Sequence, residues 1–306
     1  MKLKISHITT YQYAQEVTDS VNEIRLTPVT NERQSCYNHS LSIEPNVSLY
    51  AYDDYFGNRV HSFSVNEPHR ILTIKTSMLV VTTESFAIDD KKKLVTVKPS
   101  KAWEYLDSEE LVDRFIEFLI PTAYTEITDS IKQLVNTIPY LTVWGSKQGS
   151  EGVPASSVYD WLSSLCNYIR THFIYDPEAT TVSTKAYELI IKQRGVCQDF
   201  AHLMIAVCRA KGIPARYVSG YHFVGDLHGG TTDFEQASHA WVEAYVPELG
   251  WCSFDPTNEA AFDDRYVKLG HGRDYLDVVP VKGIYRGTGE QQLIVSVDVQ
   301  KLTSEA

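Results

Sequence analysis

The hydrophobic positions of this chain change period near residue 100 and change back about a hundred residues later. Before that first change they fall in short β-branched runs. "KISHITTYQY" carries Ile5, Ile8, Tyr11 and Tyr13 with an imperfect period of two. "SCYNHSLSIEP", "RVHSFSVNEP", "RILTIKTSMLVVTTE" and "KLVTVKP" are bounded by Pro, Asn or Gly. Such runs predict strands. "YFGNRV" lies between two of them and predicts a hairpin turn, and "DDKKK" a solvated one. Together they predict a β-sandwich-like domain over residues 1–98.

From about residue 106 the period becomes helical. "SEELVDRFIEFLIP" repeats apolar residues at Leu111, Phe115, Phe118 and Leu119 behind Ser108, a helix-capping residue. "TDSIKQLVNTI", "SSVYDWLSSLCNYIRTHFIYDP" and "TKAYELIIKQRG" follow the same rule, and a strongly apolar helix begins near Cys197. Strand signals then return in "PARYVSGYHFV", "SHAWVEAYVP", "GWCSFDPT" and "QLIVSVDVQKL". Helices followed by an antiparallel sheet give an α+β core, assigned to residues 99–306.

Composition narrows the function classes. The chain has 306 residues, a net charge of −11 and no basic stripe, so no nucleic-acid partner is expected. No run approaches the roughly 18 apolar residues of a membrane helix, and no membrane partner is expected. The opening "MKLKISHITTYQYAQ" reads as a strand rather than a signal peptide. The five cysteines are scattered without a C-x-x-C pair, which points to a reducing cytoplasm rather than to disulfides or structural zinc. No cofactor or metal is expected.

One cysteine has an unusual address. In "QRGVCQDFAHLMIAVCRAKGIPAR", Gly195 allows a tight turn and Cys197 stands at the mouth of the helix. The predicted buried stripe is Phe200, Leu203, Met204, Val207 and Cys208. A helix N-terminus carries partial positive charge and free N–H groups, which favour a thiolate and the oxyanion it generates on a carbonyl. Asp199 opposes this unless it turns away as a helix-start residue. A buried core cysteine is the alternative.

A base and an acid follow. In "ASHAWVEAYVPELGWCSFDPTN", His239, Trp241, Glu243 and Tyr245 share one face of a strand. If Tyr245 pairs with Trp251, His239 and Asp255 become diagonal neighbours on one face. A four-residue loop closing Val246 on Trp251 would put them on opposite faces, so the reading requires an odd loop or a bulge. In a Cys–His–Asp set the imidazole takes the thiol proton and the carboxylate fixes the imidazole. For Asp255 the alternative is a turn residue, since "DPTN" is itself turn chemistry.

The segments "RGVCQDFAHLM", "ARYVSGY" and "SHAWVEAYVPELGWCSFDPT" resemble the core of bacterial transglutaminase-like proteins, described as cysteine proteases. "SHITTYQYAQEVTDSVNEIRLTP" and "DYFGNRVHSFSVNEPHRILTI" resemble the N-terminal domain that accompanies such cores, and "HGRDYLDVVPVKGIYRG" fits the same group. The resemblance implies a papain-like fold, a triad of Cys197, His239 and Asp255, and a thioester formed on an amide of a peptide or protein substrate. Gln198 follows Cys197, where animal transglutaminases usually carry tryptophan, so hydrolysis is expected ahead of transfer to an amine. A binding or scaffold module that keeps the fold without catalysis is the reading from another class. Papain-like enzymes also place a glutamine upstream of the cysteine to hold the oxyanion; Gln193 and Gln198 are the candidates here. Trp241 is a candidate wall of the acyl cleft or a core residue. "HFVGDLHGGTTDFEQASH", with His222 and His228, is expected to be a mobile loop over the site. His202 and Cys208 are expected in the core.

Overall fold

The structure, a computed structural model, describes residues 1–83, 98–138, 157–225, 238–247, 249–259 and 262–302. The "DDKKK" turn, most of "KLVTVKP", and the loop carrying His228 and the Gly229–Gly230 pair lie outside the described residues. The first five strands are β1 (Lys2–Ile24), β2 (Gln34–Glu44), β3 (Tyr50–Asp53), β4 (Arg59–Val65) and β5 (His69–Thr82). Four helices follow: α1 (Pro99–Leu106), α2 (Glu109–Phe115), α3 (Asp129–Thr137) and α4 (Val158–His172). Then come β6 (Ile174–Tyr175), α5 (Ala186–Lys192), β7 (Arg194–Gly195) and α6 (Cys197–Ala210). The chain continues through β8 (Ala215–His222), β9 (Ser238–Val246), β10 (Gly250–Phe254) and β11 (Tyr266–Gly272), and returns in β12 (Val281–Arg286) and β13 (Gln291–Lys301). The protein is α+β.

The N-terminal module is built on β1. Its first half pairs with β5 and β13, its second half with β4 and β12, and the register shifts between Gln12 and Val17. One strand serving two halves curls the sheet around a core of Leu3, Ile5, Leu72, Ile74, Val80, Val297 and Val299. The alternation of β1 looked imperfect because polar residues hold core positions. His7 and Thr9 are buried, and His7 Nδ1 is 2.7 Å from the Tyr221 hydroxyl on β8. Residues 281–301, assigned by sequence to the second unit, hydrogen-bond to β1 of the first. The "YFGNRV" turn forms as expected. Asp54 Oδ1 accepts the N–H groups of Phe56 and Asn58, and Gly57 takes a left-handed conformation (φ 79°).

The second unit packs α6 between helices and a four-stranded antiparallel sheet of order β10–β9–β8–β11. Ser108 caps α2 by accepting the Leu111 N–H, as the sequence indicated. The predicted stripe of α6 is buried, but so are Ala201, Ile205 and Ala206 on its other sides. A helix with apolar residues all round belongs in the interior. Here the sheet covers one side through Ala240, Val242 and Ala244, and α3, α4 and α5 cover the rest. Arg209, also buried, is satisfied by the Phe118, Ala215 and Arg273 carbonyls and by Thr125 Oγ1. Tyr221, Phe223, Val267 and Leu269 extend from the sheet of the second unit into the core of the N-terminal module.

A 14-residue helix is marginal alone in water. Packing therefore supplies most of the stability of α6. Leu203→Ala, at a fully buried position, is expected to cost about 2–5 kcal/mol, measured by urea unfolding.

Candidate active site

The site begins at the turn before α6. Gln193 ends α5 in a left-handed conformation (φ 54°), which reverses the chain into β7. β7 pairs in parallel with β6, and Gly195 O accepts the Asp176 N–H at 2.9 Å. Gly195 is required sterically. A Cβ there would lie 2.7 Å from Asp199 Oδ2 and 2.9 Å from Leu189 Cδ1. Asp199 folds back onto its own helix start, accepting the Val196 N–H at 2.9 Å and the Thr180 hydroxyl at 2.6 Å. Its carboxylate thus caps α6 from the N3 position. Burial pushes its pKa up against those two hydrogen bonds. Cys197 is left half-buried at the helix mouth, while Cys166, Cys208 and Cys252 are buried. The N–H groups of Cys197 and Gln198 have no carbonyl one turn back within the helix.

The β9–β10 register brings His239 and Asp255 together. Tyr245 pairs with Trp251, and the connection is the three residues 247–249. Leu249 N–H closes a turn on Val246 O, and Gly250 then adopts φ 75°, a left-handed position natural to glycine. The loop is odd, as the sequence argument required. His239 Nε2 lies 2.7 Å from Asp255 Oδ2, with both residues buried. That leaves Nδ1 as the ring nitrogen not engaged by Asp255, and Cys197 is among the groups that raise the His239 pKa. The structure therefore brings His239 and Asp255 into direct contact, with Cys197 among the groups acting on the imidazole.

Electrostatics follow the geometry. Burial alone would lower the His239 pKa. The charge and hydrogen bond of Asp255, followed by those of Cys197, reverse this and hold it at about 10. Burial would raise the Asp255 pKa, but His239, Asn258 and Tyr266 keep it well below the usual carboxylate range. Cys166 differs from Cys197 in setting. It donates to Asp255 O at 3.1 Å, and burial pushes its pKa up to about 12.

The turn chemistry of "DPTN" and the acid coexist on one carboxylate. Oδ1 of Asp255 accepts the backbone N–H groups of Thr257 and Asn258, and Oδ2 holds the imidazole. Two further donors reach Oδ2: Asn258 Nδ2 at 2.8 Å and the Tyr266 hydroxyl at 2.7 Å. Sequence reasoning missed both. Asn258 was within the turn motif it quoted, whereas Tyr266 had no local signal. His222 stacks on Tyr266 at 4.3 Å, and its ring centroid is 5.5 Å from that of His239.

Three other candidates take no part in the hydrogen bonds that join His239, Asp255, Asn258 and Tyr266. Gln193 has an exposed side chain at the end of α5. The Gln198 amide donates to Val182 O at 3.0 Å. Trp241 is buried, packed against Tyr266 and Phe262 and stacked 6.3 Å from His239. His202 is buried, accepts the Tyr275 N–H and stacks on Tyr124. Among the described residues, no helix is long and apolar enough to cross a membrane.

Comparison with known proteins agrees with this architecture. Residues 3–81 match the bacterial transglutaminase-like N-terminal region, and residues 148–256 match the transglutaminase-like superfamily. An uncharacterized protein of Mycobacterium leprae is 37% identical over 302 residues, which is 98% of this chain and 99% of that protein. A protein-glutamine gamma-glutamyltransferase of Pseudomonas aeruginosa is 42% identical over 120 residues, 36% of this chain and 18% of that one. The crystal structure named "Putative Cysteine Protease from Cytophaga hutchinsonii" matches with a TM-score of 0.73 at 24% identity, over 100% of this chain and 92% of that one. The last is a likeness of fold. The chain belongs to the transglutaminase-like superfamily and carries the bacterial N-terminal region of that group. Membership supports thiol-dependent catalysis in general.

The raised His239 pKa has a consequence for stability. A group held above its unfolded value of 6.5 stabilises the fold fully below that pH and loses the contribution as pH rises through about 10. The thermal midpoint is expected to fall across that window, and His239→Gln is expected to flatten the fall, measured by calorimetry at stepped pH.

Proposed function

We propose that this protein is a thiol-dependent amide hydrolase, with Cys197 as nucleophile, His239 as general base and acid, and Asp255 as the group that orients the imidazole. The observation that carries the reading is the buried His239–Asp255 hydrogen bond of 2.7 Å, with half-buried Cys197 at the mouth of α6 among the groups that raise the His239 pKa. The thiol proton passes to the imidazole, and the sulfur attacks the substrate carbonyl to form a C–S bond. The oxyanion would lie by the free N–H groups at the mouth of α6. The imidazolium then gives its proton to the leaving amine as the C–N bond breaks, which leaves a thioester. Water attacks the thioester with the imidazole taking its proton, and the acid product leaves as the thiolate re-forms. The substrate class is a peptide or protein amide.

Transfer of the acyl group to an amine is the second reading. The local identity with the Pseudomonas aeruginosa transferase favours it. The step before the acceptor is the same in both, and only the attacking group differs. Gln198 after Cys197 favours water as the acceptor.

Iodoacetamide is expected to alkylate Cys197 faster than half-buried Cys36 or the three buried cysteines at pH 6. Equal rates would leave a binding module in place of an enzyme. Incubation with peptide and amide libraries is expected to leave an acyl adduct on Cys197 that mass spectrometry detects. Cys197→Ala and His239→Ala are each expected to abolish the adduct, with losses of comparable size, because groups acting as a unit are not additive. Thermal unfolding of Cys197→Ala is expected within a few degrees of wild type. Adding an amine acceptor separates the two readings: a product bearing the amine supports transfer, and free acid alone supports hydrolysis.

A further inference from the structure

Asp255 Oδ2 carries more hydrogen bonds than orientation of an imidazole needs. His239 Nε2, Asn258 Nδ2 and the Tyr266 hydroxyl converge on it, at 2.7, 2.8 and 2.7 Å. A buried phenol can satisfy itself on any carbonyl, yet here its acceptor is the oxygen that holds the base. The Tyr266 ring has little freedom to turn elsewhere. It is 4% exposed, stacked between Phe262 at 4.1 Å and His222 at 4.3 Å, with Trp241 edge-on at 5.5 Å.

The segment around Tyr266 is held from the N-terminal module. Two residues after it, Gln34 brackets Lys268: Nε2 donates to Lys268 O and Oε1 accepts the Lys268 N–H, both at 2.8 Å. Val29 N–H reaches the same carbonyl at 3.2 Å. Two residues before it, the Thr82 hydroxyl donates to Asp264 O. Arg33 donates to Asp263 O at 3.4 Å, and its guanidinium lies 4.6 Å from the centre of the Phe262 ring. Residues of β2 and β5, and of the segment before β2, thus fix the backbone on both sides of Tyr266.

We propose that Tyr266 is a positioning residue for the acid of the triad and that the N-terminal module keeps it in place. The inference rests on the functional reading of Cys197, His239 and Asp255 given above. Each donor to Oδ2 withdraws charge from the oxygen facing the imidazole. Without the phenol, that oxygen pulls harder on the Nε2 proton, and the imidazolium yields a proton to the leaving amine less readily. The groups facing the ring are Asp255 after β10, Cys197 on α6, His222 on β8, Tyr266 on β11 and Asn258 in the turn. The hydrogen bond of Tyr266 is made to Asp255, so its effect on the imidazole proton is transmitted through that carboxylate.

The test uses the full chain, iodoacetamide as probe of Cys197, and proton NMR of the His239 Nε2–H. In Tyr266→Phe the NMR signal is expected to move downfield. The pH profile of Cys197 alkylation is expected to move to higher pH, most at its alkaline limb, by about tenfold in proton affinity. Gln34→Ala, outside the triad's contacts, is expected to move both in the same direction by less. The double variant is expected to match Tyr266→Phe alone, although losses of thermal stability add. A rapid wild-type Cys197 with both readouts unmoved in Tyr266→Phe overturns the proposal while sparing the functional reading. Additive shifts in the double variant overturn the part assigned to the N-terminal module. A wild-type Cys197 no faster than Cys36 overturns the functional reading and the proposal with it.

Discussion

The pairing of β9 with β10 is the constraint on which the site depends. Strand side chains alternate, so a slip of one residue carries an entire strand to the other face. The connection at residues 247–249 is odd, and left-handed Gly250 closes it. This places Asp255 on the face of His239 and Trp241, while Ala240, Val242 and Ala244 remain free to pack on α6. The same register therefore assembles the polar site and the apolar core. Neither can shift without the other, because the two sets of residues alternate on one strand.

Around that register the structure resolves a conflict over a buried charge. A desolvated carboxylate is costly unless it is hydrogen-bonded. Asp255 is satisfied on both oxygens, by turn N–H groups on one and by side-chain donors on the other. The same solution appears four residues along β9 from His239, on the same face. Glu243 there accepts Arg216 Nε at 2.7 Å and Lys268 Nζ at 2.6 Å. Burial would raise its pKa, but Lys268 and Arg216 hold it at about 2. The sheet face away from α6 thus carries densely paired charges beside the apolar residues that enter the N-terminal core, whereas the face toward α6 is apolar.

Cys197 depends on a different set of forces. Its position is fixed by a sterically demanded glycine, a carboxylate cap and a helix buried on all sides. Asp199 could have opposed a thiolate; its engagement with Val196 and Thr180 turns it to a structural role. The helix mouth and the strand pair are separate pieces of the chain, and packing of α6 on β8 and β9 brings them into contact.

Much of this was readable from residue types and spacing. The helix-mouth cysteine, the shared parity of His239 and Trp241, the odd loop and the capping serine of α2 are local properties. Hydrophobic period and turn chemistry act over a few residues and leave a direct trace in the sequence. What stayed hidden is non-local. β1 runs 23 residues because it pairs with four strands from distant parts of the chain, and its polar core residue His7 is satisfied by a tyrosine 214 positions away. The last two strands return to β1, and Tyr266 meets Asp255 from another strand. The sequence determined which elements form and which residue types stand at the candidate site, since both follow from short-range sterics and side-chain type. Only the tertiary structure decided which buried donors complete the acid and how the N-terminal module braces them, because those contacts exist only once distant segments are packed together and excluded from water.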